Sequence, residues 1–187
     1  MGNQQLLETV SQLVQQLWDG IEIIIAQSQA QCAGVINAYP QPEKLGVDRW
    51  LTLLAVNQDY QQPVCIVDCG TAITVDILDA QGKHLGGVIS SGLRLMKQSL
   101  QENTQQLKFS KQAYSLGLAN FTEAAIDSGT LYAAVGLIEQ VMLKQTTRPL
   151  LLLTGGDADI IAPQFTHSVT IKADLVLRGL LVIIEHQ

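Results

Sequence analysis

Charged residues, aromatic side chains and cysteines are all scarce in this sequence of 187 residues. Charged residues make up 15% and aromatic residues 5% of the chain, and the formal net charge is −6 at pH 7. Because lysine and arginine form no basic run, the positive surface of a nucleic-acid-binding protein is not expected. The acidic balance does not exclude a nucleotide ligand, since backbone N–H groups and a metal ion can hold phosphates.

Long apolar runs are also absent, and the cysteines lack a metal-binding pattern. The runs at residues 21–26 and 150–153 are too short to span a bilayer, and no signal peptide is visible. Cys65 and Cys69 lie four residues apart, but with Cys32 they leave no second pair to complete a zinc site. We therefore expect a cytoplasmic protein with reduced thiols and no membrane partner.

The spacing of apolar residues predicts alternating helices and strands. Residues 4–18 have helical spacing, and residues 21–26 are typical of a buried strand. The polar, proline-containing segment 30–44 is predicted to be a loop. After it, the pattern predicts a helix from residue 47 or 48, strands at 64–68, 73–78 and 83–89, helices at 92–106 and 120–144, a strand at 150–154, a helix ending near 164, a strand at 168–171 and a helix at 174–185.

This order of elements predicts an α/β domain built on a mixed sheet. The polar stretch at residues 58–63 ends in proline and marks a candidate domain boundary. Asn120 or Thr122 is the expected N-cap of the long helix, with Glu123 in its first turn. The glycines at 86 and 87 are expected to end a strand or to allow a close approach to it.

Residues 68–76, Asp-Cys-Gly-Thr-Ala-Ile-Thr-Val-Asp, are the most informative stretch because they join two apolar runs through a polar turn. Glycine lets a backbone approach a phosphate closely, and the neighbouring N–H and hydroxyl groups can donate to its oxygens. The first aspartate fits beside a cation or as an anchor of the turn, while a plain hairpin is the alternative. Two further glycine turns, at 86–92 and 154–157, make an ATP site the favoured interpretation.

With these motifs in place, the chain resembles the type III pantothenate kinases, a branch of the actin-like and sugar-kinase ATPase superfamily. The specific pair is Gly-x-Asp-Arg at 46–49 and Asp-x-Gly-Thr-Ala at 68–72. The resemblance implies an actin-like, ribonuclease-H-like fold, with residues 1–60 as a truncated first lobe and residues 61–187 as a complete second lobe. The matching segments are Tyr39, 42–50, 68–76, 86–89, 91–93, 120–129, 154–158 and 177–180.

The resemblance implies transfer of the γ-phosphoryl group of ATP, with Mg²⁺, to the primary hydroxyl of pantothenate, the first step of coenzyme A synthesis. Asp48 then matches the catalytic base, since a carboxylate next to an alcohol can orient it and take its proton. Its alternative role is to cap a helix. Arg49 suits the polar groups of pantothenate, and its alternative is a surface ion pair. Tyr39, Gly46 and Val47 match the rest of the pantothenate pocket.

The remaining site residues are also assigned by resemblance. Thr122 matches a threonine that reaches pantothenate from the partner subunit, which implies a homodimer. Asp68 matches the ligand of a potassium or ammonium ion. Gly70, Thr71 and Thr74 match the ATP side of the first turn, Thr71 at the phosphates, and Gly155 and Gly156 match the adenosine side. His84, His167 and His186 match no family role and are expected to be ordinary surface or core histidines.

The chain departs from the family pattern at its beginning. Family members start with a strand and an Asp-x-Gly-Asn-Thr turn, and neither is present here. A misplaced start is the favoured explanation, and a degraded or repurposed copy is the other. The alternative function is therefore a non-catalytic pantothenate- or nucleotide-binding remnant, and a further alternative is an acyl or sugar kinase of the same superfamily.

Overall fold

A mixed α/β arrangement is seen in the computed structural model, which describes residues 4–102 and 117–186. The elements in chain order are α1 (Gln4–Leu17), β1 (Gln31–Cys32), β2 (Val35–Ile36), α2 (Val47–Asp59), β3 (Val64–Cys69), β4 (Ala72–Leu78), β5 (His84–Ser91), α3 (Leu93–Glu102), α4 (Thr122–Leu143), β6 (Leu150–Thr154), α5 (Ala158–Ile161), β7 (Val169–Ile171) and α6 (Leu175–Glu185). The strand order of the main sheet is β5-β4-β3-β6-β7, and β1 and β2 pair separately.

The five-stranded sheet has helices on both faces because its central strand, β3, carries buried apolar side chains on both faces. β3 pairs antiparallel with β4 and parallel with β6. Val64 and Ile66 pack with α2 and α6, whereas Cys65 and Val67 pack with α4 on the opposite face. The alternation follows from the two-residue period of a strand. The predicted α/β fold with a mixed sheet is confirmed.

Helix α2 is held firmly against α6. The residues from 49 to 56 are all buried. Gly179 of α6 touches the backbone of Leu51 so closely that a Cβ atom would lie 2.7 Å from Leu51 Cα. Near the other end of α2, Arg178 donates from both Nη atoms to the carboxylate of Asp59, each at 2.6 Å. These contacts join residues on both sides of the division predicted between residues 1–60 and 61–187. The division into two lobes stays a prediction.

The hairpin of β1 and β2 is attached to the turn that joins β4 to β5. Ala33 and Gly34 turn the chain with φ angles of 47° and 82°. The Ile36 N–H donates to the Gly82 carbonyl at 2.9 Å. The Asn57 side chain, from α2, donates to the Ala33 carbonyl at 3.1 Å. The hairpin therefore anchors the loop that follows it to both the sheet and α2.

Two local predictions are wrong. Residues 21–26 form no strand, and Ile21 and Ile25 are 47% and 50% exposed. Among the described strands none pairs with this segment, so its backbone lacks the ladder that a buried strand requires. The residue before the first turn of α4 is Phe121, with no side-chain cap, rather than Asn120 or Thr122.

Several boundaries also differ from the prediction. The predicted loop at 30–44 contains the short strands β1 and β2. Gly86 and Gly87 lie within β5 rather than at its end, and the predicted close approach is found at Gly87, where a Cβ atom would collide with the side chains of Asp76 and Arg49. The last part of the helix predicted at 92–106 lies beyond residue 102 and so outside the described residues. In the part of the chain that the structure describes, no helix has both the length and the apolar character needed to cross a membrane.

Candidate active site

Polar side chains gather where α2 begins, on the face of the sheet that α2 covers. Asp68 of β3 is directly opposite Thr74 of β4, and Asp76 follows two residues later on the same face. Ile66 and Leu78, which share this face, pack in the core with α2. The first turn of α2 therefore lies beside the polar ends of two strands.

Arg49 and Asp76 form a buried ion pair between α2 and β4. The Arg49 Nε atom donates to Asp76 Oδ2 at 2.8 Å, and Nη2 donates to Oδ1 at 2.6 Å. Arg49 is 5% exposed and Asp76 is 1% exposed. The alternative of a surface ion pair for Arg49 is therefore wrong, because the contact is bidentate and desolvated.

Each partner of this pair stabilises the charge of the other. Burial opposes the charged carboxylate of Asp76, but hydrogen bonds from His84 and Arg49 outweigh burial and lower its pKa. Burial also opposes the charged guanidinium of Arg49, and the contacts with Asp76 and with the Tyr39 hydroxyl nevertheless raise its pKa. Both groups are therefore charged at neutral pH.

Tyr39 completes the coordination of the Arg49 side chain. The Arg49 Nη1 atom donates to the Tyr39 hydroxyl at 3.0 Å, and the guanidinium carbon lies 5.7 Å from the centre of the Tyr39 ring. The Tyr39 N–H donates to the Asn37 side-chain oxygen at 3.0 Å, and the Asn37 amide in turn donates to the Gln29 carbonyl at 3.1 Å. Asn37 therefore shapes the loop that presents Tyr39.

His84 is a fully buried member of the same group. Its Nε2 atom lies 2.8 Å from Asp76 Oδ1, and its Nδ1 atom lies 3.5 Å from the Ala38 backbone nitrogen. Its ring is stacked on Tyr39 with centres 6.2 Å apart and planes inclined by 12°. His84 is thus a core histidine, as its lack of a family role suggested, but one that touches the predicted pocket.

Asp48 is exposed at the start of α2. Its Oδ1 atom accepts from the Arg49 N–H at 2.8 Å, so it satisfies one free N–H of the first turn without being the N-cap residue, which is Gly46. A Cβ atom at Gly46 would lie 2.6 Å from that oxygen, so glycine makes room for the carboxylate. Gly46, Val47 and Asp48 line an open groove of about 830 Å³ together with residues 26–28 and 43–45.

The charge of Asp48 acts on the carboxyl group of Asp68. Burial raises the pKa of the Asp68 carboxyl, and the charge of Asp48 raises it further. A half-buried carboxylate with a second negative charge nearby is a place where a cation is favourable. Among residues 4–102 and 117–186, no three His, Cys, Asp or Glu side chains lie close enough together to hold a metal ion. A cation beside Asp68 would need carbonyl, water or phosphate oxygens as further ligands.

The three glycine turns meet around Asp68. The Gly92 N–H donates to the Thr71 carbonyl at 2.9 Å, and a Cβ atom at Gly92 would collide with the Gly70 carbonyl. Gly155 has a φ angle of +88°, and a Cβ atom there would lie 2.5 Å from Asp68 Oδ1. The absence of side chains at these positions permits the close approach of the three turns.

The last of these turns is open to solvent on its outer side. Nothing lies within 4 Å of the Cβ position of Gly156, whereas the Asp157 N–H donates inward to the Cys69 carbonyl at 2.9 Å. Burial, and then the charges of Asp68 and Asp157, raise the pKa of Cys69 to about 12. The thiol next to the turns is therefore protonated and is not a nucleophile.

Thr122 lies apart from this group. It is exposed at the start of α4 and borders an open hollow of about 580 Å³ between α3 and α4. The residues that line this hollow are different from those of the groove at Asp48. Within one chain, the structure brings the other predicted pantothenate residues together around the first turn of α2, but not Thr122.

Asp76 and His84 received no role from the sequence, and one signal could have identified the former. An aspartate inside an apolar strand must be paired when it is buried, and a single arginine at the start of a neighbouring apolar helix is a natural partner. A lone histidine in a strand carries no comparable signal.

Two solved structures share this architecture. One from Campylobacter jejuni, described as a Baf family transcriptional activator, has a TM-score of 0.63 and 27% identity, covering 82% of this chain and 69% of its own. The activator of the 2-hydroxyisocaproyl-CoA dehydratase from Clostridium difficile, with bound ADPNP, has a TM-score of 0.50 and covers 97% of this chain and 80% of its own. Its identity is 14%, which supports the fold alone. The protein is an α/β protein of the actin-like ATPase fold.

Sequence comparisons narrow this class to one family. A family model described as type III pantothenate kinase matches residues 3–144. A protein of that name from Nitrosococcus oceani is 42% identical, covering 96% of this chain and 71% of the relative. Another from Acinetobacter baumannii is 37% identical, covering 100% and 77%. The chain belongs to the type III pantothenate kinase family.

The buried ion pair makes stability depend on acid pH. Because the folded pKa of Asp76 is lowered, its contribution is complete above the ordinary aspartate pKa of about 3.9 and is lost as the pH falls through the lower folded value. In urea unfolding we expect Asp76→Asn to cost about 3 kcal/mol at neutral pH. We also expect this variant to lose less stability than the native chain between about pH 5 and pH 3. Exposed Asp159→Asn is the control, and equal losses in all three proteins would contradict the assignment.

Proposed function

We propose that this chain transfers the γ-phosphoryl group of ATP to pantothenate and forms 4′-phosphopantothenate. Its curated relatives are named for this kinase activity, and they match nearly the whole chain. The observation that carries the proposal is the position of Asp48. It is exposed at the start of α2, beside the buried Arg49 pair, and its charge acts on Asp68 where the glycine turns meet.

In this proposal Asp48 is the general base. Its carboxylate orients the primary hydroxyl of pantothenate and accepts the hydroxyl proton. The hydroxyl oxygen forms a bond to the γ-phosphorus while the bond from that phosphorus to the bridging oxygen of ADP breaks. The exposed position of Asp48 in an open groove leaves space for the alcohol beside it.

Tyr39, Gly46, Val47 and Arg49 form the proposed pantothenate pocket. Three of the five N–H bonds of Arg49 donate to Asp76 and Tyr39 in the described contacts, which leaves two for oxygen atoms of a substrate. The fixed ion pair holds these donors in one orientation before the substrate binds, which lowers the entropy cost of binding.

The glycine turns form the proposed ATP site. Gly70, Thr71 and Thr74 are proposed to contact the phosphates, and Gly155 and Gly156 the adenosine. The fit rests on the close backbone packing of the turns and on the open outer side of the last one. A divalent ion accompanying ATP would neutralise part of the phosphate charge.

Asp48→Asn tests the proposed base. The amide cannot accept the hydroxyl proton, so we expect kcat to fall by about a hundredfold or more while the KM for ATP changes little. The matched control is Glu43→Gln, another exposed carboxylate that lines the same groove. Steady-state phosphorylation of pantothenate measures both. Full activity in Asp48→Asn would remove the base assignment, and a native chain that binds pantothenate without turnover would favour the non-catalytic alternative.

We also propose that Asp68 binds the monovalent cation, potassium or ammonium. A cation there offsets both the burial of this carboxylate and the repulsion from Asp48. We expect Asp68→Asn to raise the half-activating potassium concentration by about tenfold, as loss of one charged contact implies. Asp157→Asn, which neutralises the neighbouring turn, should keep the native dependence. A potassium curve shifted by Asp157→Asn but not by Asp68→Asn would move the site to Asp157.

A homodimer in which Thr122 of the partner subunit completes the pantothenate site is the last part of the proposal. It is supported by the separation of Thr122 from the groove at Asp48. Four exposed positions at helical spacing along α4 carry small residues that allow a second chain to approach closely: Ala125, Gly129, Ala133 and Gly136.

Subunit mixing tests this arrangement. Asp48→Asn and Thr122→Glu should each be nearly inactive alone, and the new glutamate suits the first turn of a helix. A mixed dimer would retain one site with both native residues, so refolding an equal mixture should restore about a quarter of native activity. Activity equal to the sum of the separate variants would show that Thr122 does not act across an interface.

A further inference from the structure

His84 connects two parts of the proposed pantothenate pocket that are distant in sequence. It lies in β5, and its two ring nitrogens contact Asp76 in β4 and the backbone of Ala38 in the loop before α2. Its ring face lies against Tyr39. His84 is fully buried, and its contact with Asp76 is made away from solvent.

The contact with Ala38 determines which nitrogen carries the proton. A backbone N–H can only donate, so His84 Nδ1 is placed as the acceptor and Nε2 is the nitrogen whose proton faces Asp76. The Nε2–H then donates to Asp76 Oδ1. The same oxygen accepts from Arg49 Nη2, and Oδ2 accepts from Arg49 Nε. Both oxygens of the Asp76 carboxylate therefore accept hydrogen bonds, and these bonds fix the rotation of the carboxylate.

These contacts form a closed ring. Arg49 binds Asp76 and the Tyr39 hydroxyl, His84 binds Asp76, and His84 returns to Tyr39 through the adjacent Ala38 and through ring stacking. A closed set of hydrogen-bond and stacking contacts restrains each member more than a pair would, because a side chain that rotates loses a contact with its neighbour. Arg49 and Tyr39 are the members that the proposed function assigns to pantothenate.

We propose that His84 is a positioning residue for pantothenate: it sets the Asp76 carboxylate that orients Arg49, and it holds the loop that presents Tyr39. This role rests on the proposed binding of pantothenate by Arg49 and Tyr39. Complete burial keeps His84 from touching the substrate itself, so its effect is on binding geometry rather than on proton transfer.

Two substitutions of His84 test its contact with Asp76 and its contact with Ala38 separately. His84→Gln carries an amide N–H near the position of Nε2, so it keeps a donor for Asp76 and loses the acceptor for Ala38. His84→Asn carries an oxygen near the position of Nδ1, so it keeps the acceptor and loses the donor. His167→Gln is the matched control, because His167 also lies 3.0 Å from a carboxylate, that of Glu139, but outside the pocket.

We expect each His84 variant to raise the KM for pantothenate by about tenfold, the usual effect of losing one hydrogen bond to a charged network. The KM for ATP should stay within about twofold, since the described contacts of His84 are with Ala38, Tyr39 and Asp76, none of which is a proposed ATP contact. His167→Gln should change neither constant. The thermal unfolding curve of each variant gives the fraction that is folded at the assay temperature, and kcat is corrected for that fraction.

A double-mutant cycle with Tyr39→Phe distinguishes positioning from a general loss of packing. If His84 acts through Tyr39 and Arg49, the KM effect of His84→Gln should be smaller in the Tyr39→Phe background than in the native one. Effects that multiply independently, or equal rises in both KM values, would overturn the proposal.

Binding of pantothenate by calorimetry separates this inference from the function on which it rests. A native chain that neither binds nor phosphorylates pantothenate would overturn both. Native binding and turnover with unchanged constants in both His84 variants would overturn the role of His84 alone. Weaker calorimetric binding in both variants, with native ATP constants, is the result we expect.

Discussion

The site depends on the buried ion pair that joins the first turn of α2 to β4. Removing two charges from water is costly, and such a pair is tolerated only when its geometry is close to ideal and its remaining donors and acceptors are satisfied. Here the pair is bidentate, the Tyr39 hydroxyl takes a further guanidinium donor, and His84 supplies another donor to Asp76. Because the pair requires Arg49 to be at the sheet, it also fixes the adjacent exposed Asp48.

Close backbone packing is the second constraint, and it brings the glycine turns together beside Asp68. The glycine turns approach each other because they carry no side chains where they touch, and Asp68 lies among them. Asp68 interacts electrostatically with Asp48, and Gly155 of the last glycine turn packs against its carboxylate. In the proposed function, Asp68 thus lies between the groove assigned to pantothenate and the turns assigned to ATP, which phosphoryl transfer has to bring together.

Local patterns in the sequence were sufficient for most elements but not for their partners. The helices and the central strands follow from apolar periodicity, which is a property of each segment alone. The strand predicted at 21–26 was wrong because a strand also needs a neighbour, which the segment itself does not encode. Likewise, the motifs identified Arg49 and Tyr39, but the pairing with Asp76 spans 27 residues and depends on how α2 packs on the sheet.

The packing of α2 on α6 links the C-terminal helix to the position of the first turn of α2, where Asp48 and Arg49 lie. Gly179 allows backbone contact with Leu51, and the Arg178 pair holds the other end of the helix at Asp59. A rigid helix transmits a shift along its axis to its first turn, and a displacement near 1 Å is enough to disturb a reacting geometry. We therefore expect substitutions on α6, which supplies no proposed substrate contact, to alter turnover as well.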